Sequence, residues 1–133
     1  MDIDFIKQFG LDPIQGFHFD AYAQAVARKK VRDFNGGQWG TANIDGLTIL
    51  LLPCDGDELT MSAAYNDVTA DRLTVSAAFT CLLVNWYWNQ YTDRMSDDQN
   101  EKFHNYYFGL RNAVYADKKT HTINTSKYFD LTD

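Results

Sequence analysis

The stretch DFNGGQWGTANIDGLTILLLP, residues 33–53, decides the fold. Upstream of it, Phe19, Tyr22, Val26 and Ala27 recur at helical spacing, with Asp20 near the start. The spacing predicts a helix that ends by Phe34, with Gly36 or Gly37 as a left-handed C-cap. Downstream, the segments 38–43, 47–52 and 59–65 read as three short strands. Asp45-Gly46 between the first two is a tight hairpin turn, because this pair tolerates the positive φ such a turn needs. Pro53 ends the middle strand, and PCDGDE, residues 53–58, makes the second turn. TILLL, residues 48–52, is apolar without alternation, so that strand should be covered on both faces.

Working outward, Phe5, Ile6 and Phe9 form a short helix face closed by Gly10. DPIQG, residues 12–16, reads as a turn, because Pro13 biases Asp12 away from helix. On the other side, apolar residues run almost all the way round from Ala77 to Trp88, which marks a central core helix capped by Thr74 or Ser76. A second helix starts at MSDDQ. Ser96 and Gln99 have capping-box spacing, and Asp97 and Asp98 sit in the electropositive first turn. Phe103, Tyr106, Tyr107, Leu110 and Val114 follow as one amphipathic stripe. The polar tail ends in a short docked segment around Tyr128 and Phe129. The expected fold is therefore α+β, one compact domain over residues 1–133. A small antiparallel meander of three to four strands is flanked by helices, with two long helices in the C-terminal half.

Composition narrows the function classes. The formal net charge is −6, and of the 18 acids 16 are Asp, a residue that favours caps and turns. An acidic balance argues against direct nucleic-acid binding, which needs a basic footprint. Arg28, Lys29, Lys30 and Arg32 cluster, but at a helix end, where cations suit the macrodipole. The N-terminus lacks the basic start and long apolar run of a signal peptide, and Val75 to Trp88 is too short to span a bilayer. The expectation is a cytoplasmic protein with no membrane contact, whose Cys54 and Cys81 are reduced and buried.

Chemistry-bearing motifs are scarce. His18, His104 and His121 share no metal-ligand spacing, and the two cysteines are far apart. FNGGQWG lacks the Lys-Ser/Thr of a phosphate loop and precedes a strand rather than a helix. Asp55, Asp57 and Glu58 do not fit the ligand spacing of an EF-hand loop. No catalytic, metal or cofactor residues are expected.

The order of marks resembles the ArdB/KlcA antirestriction proteins of plasmids, phages and genomic islands. The matching residues are Phe34, Gly36, Gly37 and Trp39, then Gly46 and Pro53, then LTVSAAFTCLLVNW at 73–86, then Tyr106, Tyr107, Leu110 and Arg111. The chain departs from the family pattern at DGLTILLLP, residues 45–53, and at DKK, residues 117–119. The resemblance implies a single α+β domain with neither cofactor nor catalytic residues, which protects incoming DNA by inhibiting a host type I restriction enzyme. Two exposed acidic features suit the contact with such a partner: the Asp55, Asp57, Glu58 turn and the Asp97, Asp98 helix start. Trp39 is either an apolar anchor of the fold or a gripping residue for the partner. Other targets on the same scaffold are a CRISPR effector or a toxin that the protein neutralises. A small hydrolase or ligand-binding domain would need His18, His104 or His121 gathered with an Asp.

Overall fold

In a computed structural model, which describes residues 1–117 and 122–133, the chain forms five helices and four strands. In order these are α1 (Ile3–Lys7), α2 (Pro13–Lys30), β1 (Gly40–Ile44), β2 (Leu47–Leu51), β3 (Glu58–Ser62), β4 (Asp67–Asp71), α3 (Arg72–Tyr91), α4 (Asp97–Ala116) and α5 (Thr125–Thr132). A 3₁₀ turn, Thr92–Arg94, joins α3 to α4. The most apolar run becomes α3, which packs against α2, α4, α5, β2, β3 and β4. Its residues from Thr74 to Leu83 are buried but for Leu82, as an all-round apolar helix requires. Together the elements form one α+β domain, with the two 20-residue helices α3 and α4 in its C-terminal half.

The strands pair as two separate antiparallel hairpins, β1–β2 and β3–β4, rather than as one continuous meander. The reason lies at the outer edge of β2. Residues 47, 49 and 51 face β1, so the polar backbone groups of 48, 50 and 52 need other partners. Gln8 bonds both backbone groups of Thr48: its Nε2 donates to the carbonyl and its Oε1 accepts from the amide, each at 2.9 Å. The amide of Leu50 donates to Thr80 Oγ1 at 3.3 Å, and that of Leu52 to Ser76 Oγ at 3.0 Å. Arg72 Nε donates to the Leu52 carbonyl at 2.7 Å. Side chains thus seal the edge on which β3 would otherwise pair.

Three local expectations are corrected. The turn at 12–16 is the start of α2: Asp12 is its N-cap, with a capping box to Gln15, and Pro13 takes the first helical position, which needs no N–H donor. Neither Gly36 nor Gly37 caps α2. The helix stops at Lys30, Val31 turns extended and bridges Met61, and Arg32 N donates to the Thr60 carbonyl at 2.9 Å. The pull of β3 ends the helix, and the two glycines serve the loop beyond it, at φ values of 101° and 124°. Finally, β4 occupies 67–71, so the N-cap of α3 is Asp71, which accepts from Thr74 N at 3.1 Å. Thr74 and Ser76 lie inside the helix, buried.

Other expectations hold. Asp45 and Gly46 turn the first hairpin with φ of 49° and 85°. Ser96 and Gln99 form the capping box of α4, and Phe103, Tyr106, Leu110 and Val114 are its buried stripe. Tyr128 and Leu131 dock α5 against the core, with Tyr128 fully buried. At the N-terminal end, Phe9 stacks on Phe103 at 4.5 Å and meets Tyr106 at 4.7 Å, while Phe19 packs on Tyr87 at 4.6 Å. Offset and edge-on contacts at these distances add roughly 0.5–1.5 kcal/mol per pair to the burial itself.

Candidate functional site

Two of the segments singled out in the sequence meet across a cleft. One wall is the backbone from Val31 to Gly36, leaving α2; the other runs from Pro53 to Thr60, the second turn and the start of β3. The cleft has a volume of about 410 Å³. Its walls close together at one end, where a Cβ on Gly37 would come within 3.3 Å of Pro53 Cγ. The positive φ and this contact together fix glycine at 37.

The 53–58 turn is held by the Cys54 thiol, which donates to the Gly56 carbonyl at 2.8 Å and lies 3.4 Å from that of Glu58. Cys54 is therefore half-exposed at the cleft, not buried as expected, while Cys81 is buried and both are free thiols. Burial pushes the Cys81 thiol pKa upward, which leaves it a poor nucleophile. Asp33, Asp55 and Glu58 line the cleft, and Asp57 is exposed beside them. The Asp57 carbonyl accepts from Arg72 N at 3.1 Å, which fixes the turn to the start of α3. Arg32 also lines the cleft; its guanidinium pairs with Asp67 at 2.7 Å. Phe34, Pro53 and Leu59 give apolar surface between these charges. The arrangement suits recognition of a side chain with an apolar stem and a cationic head.

Trp39 is half-buried behind this loop. Its ring stacks between Phe34 at 5.9 Å and Phe79 at 5.8 Å, and its Nε1 donates to Asp20 Oδ1 at 2.8 Å. It ties the Gly-Gly segment to α2 and α3, an anchoring role that sets the position of one cleft wall. Asp97 and Asp98 lie apart from the cleft, at the start of α4. There Asp98 pairs with Lys102 at 2.9 Å, and Gln99 donates to the Gly10 carbonyl at 3.0 Å, near the start of α2. The two acidic features thus flank opposite ends of α2, which is 18 residues and roughly 27 Å long. Leu110 is a core residue, whereas the Arg111 guanidinium lies on the surface, 5.6 Å from the Tyr107 ring centre.

The histidines stand on different elements. His18 Nδ1 is 2.9 Å from the Tyr87 hydroxyl, and His104 meets the rings of Trp88 and Phe108 on the surface of α4. His121, with Lys118 and Lys119, falls outside the described residues. No group of three or more His, Cys, Asp or Glu among the described residues has a metal-binding arrangement. Likewise, no helix among them is long and apolar enough to cross a membrane. No protein-family model and no curated protein matches the chain.

Reading the sequence missed Asp33, Arg32, Leu59 and Cys54 as parts of this site. Only Asp33 carried a signal, and an indirect one: Asp33 and Asn35 are turn formers, and Asp33 takes a left-handed conformation at φ 61°.

Proposed function

We propose that this protein inhibits a host DNA-defence complex, most simply a type I restriction enzyme, by direct protein contact and without catalysis. The observation that supports this reading is the meeting of residues 31–36, which lead into the Gly-Gly-x-Trp segment at Gly36, with the acidic 53–58 turn across one cleft. The first carries the resemblance to the ArdB/KlcA proteins, and the second is the acidic feature suited to a partner. A rigid wall set by Trp39 and a carboxylate-rich wall opposite it make a receptor for a basic loop of the target.

Contact of this kind fits the charge distribution better than imitation of DNA does. Duplex DNA carries one charge per about 1.7 Å, so a mimic as long as α2 needs roughly 16 aligned carboxylates. The whole chain has 18 acids interspersed with 12 Lys and Arg.

Plating efficiency of unmodified phage tests the proposal, measured on isogenic hosts with and without a type I restriction system. Expression of the protein is expected to rescue plating in the restricting host alone. No rescue at confirmed expression refutes type I inhibition, and interference by a CRISPR effector is then the next target to assay.

A further inference from the structure

The largest exposed apolar side chains near the N-terminus gather where α1 packs beside the first turns of α2. Ile3 is 65% exposed, Ile14 80% and Phe17 78%. Ile14 and Phe17 are three residues apart on α2, so they share a face. Beside them lies a groove of about 390 Å³ whose apolar lining includes Ile3, Ile6, Leu11, Pro13 and Phe17. Nothing in the folding of this domain requires a phenylalanine and two isoleucines in water, since the adjoining core is already filled by Phe5, Phe9 and Phe19.

The rim is acidic. Asp12 and Asp20 line the groove, and Asp2 and Asp4 flank Ile3, against Lys7 and the Met1 ammonium, which pairs with Asp20 at 3.4 Å. Asp2 and Asp12 are helix N-caps, each accepting a backbone N–H at 2.8 Å, which holds them in place at the rim.

We propose that this groove docks an amphipathic segment of a partner protein, one that carries a bulky apolar side chain flanked by lysines or arginines. Charge complementarity selects basic flanks, because acidic ones would face Asp2, Asp4 and Asp12, while Asp20 is already paired with the Met1 ammonium. Area selects a segment rather than a second copy. Covering Ile3 and Phe17, the exposed apolar residues of the groove, removes on the order of 300 Å² from water, less than half of what one partner contributes to a standard interface. A two-fold dimer would moreover set the acidic rim against itself. The groove lies roughly 20 Å along α2 from the cleft described above, so it is a separate contact that does not depend on the proposed target.

The test uses the full chain and two synthetic helical peptides, each with leucines spaced i, i+4. One has lysine flanks and the other glutamate flanks. Binding is read by fluorescence anisotropy at low and high salt. The lysine peptide is expected to bind at least ~10-fold tighter than the glutamate peptide and to weaken several-fold as salt screens the rim. Phe17→Ser, at a largely exposed position, should keep the native circular dichroism and lose at least ~10-fold in lysine-peptide affinity, and Asp4→Asn should lose a smaller factor. Equal binding of both peptides, or undiminished binding to folded Phe17→Ser, overturns the proposal. So does concentration-dependent self-association that Phe17→Ser abolishes, since the occupant is then a second copy.

Discussion

The carboxamide of Gln8 does for Thr48 what a neighbouring strand would do, one bond donated and one accepted. Tyr106 also donates to the Thr48 carbonyl, at 2.7 Å, but the Thr48 amide depends on Gln8. Gln8→Leu should therefore leave that amide without its partner and cost about 1–3 kcal/mol in urea unfolding. Trp39→Ala removes two stacking contacts and one hydrogen bond, and should cost about 3 kcal/mol, the low end for a tryptophan truncation because the ring is only half-buried. The two residues differ in how far the sequence reveals them. A tryptophan after Gly-Gly announces an anchor by its size. A glutamine forty residues from its partner announces nothing, because its role exists only once α1 lies beside β2.

Among the elements, β2 is the one whose environment explains the topology. Its apolar, non-alternating sequence correctly signals cover on both faces, yet it says nothing about the edge. Ser76 and Thr80 sit four residues apart on one face of α3 and take the amides of Leu52 and Leu50. In the sequence Ser76 reads as a candidate N-cap and Thr80 as an ordinary small residue of an apolar helix, and neither points to β2. The double variant Ser76→Ala, Thr80→Val keeps volume and removes both acceptors. It should lose about 2–4 kcal/mol and speed amide hydrogen exchange at Leu50 and Leu52 before that at Ile49. Strand β4 was hidden for a different reason. DVTAD alternates, with Val68 and Ala70 buried and Asp67, Thr69 and Asp71 exposed, but it abuts a strong helical pattern that masks it. The helix caps split in the same way. Ser96 with Gln99 was legible because both partners are local, whereas the end of α2 was not, because a bridge to Met61 sets it.

At the scale of the molecule, a buried set of phenols makes stability sensitive to alkali. Burial, reinforced by the neighbouring Tyr91 and Tyr22 phenols, raises the Tyr87 pKa to about 12. Burial likewise drives the phenols of Tyr106 and Tyr128 upward. In the unfolded chain a tyrosine ionises near ~10, so above that value the unfolded state holds fewer protons than the native one. The contribution of Tyr87 is complete below about pH 10 and is lost as the pH climbs toward 12. Denaturation midpoints measured between those values should fall steadily, and Tyr87→Phe should lessen the slope.

The candidate cleft was half legible: its acidic turn and its Gly-Gly wall are plain in the sequence, but their meeting depends on how Val31 and Arg32 join β3. That meeting is what the functional account rests on. The most direct test is binding of the purified protein to a purified type I restriction enzyme, comparing wild type with the combined variant Asp55→Asn, Asp57→Asn, Glu58→Gln. All three side chains are exposed, so the variant should fold normally. The account predicts a complex with wild type and at least ~10-fold weaker binding by the variant, with Asp97→Asn, Asp98→Asn binding as wild type does. No complex with wild type, or an undiminished one with the folded cleft variant, would contradict it.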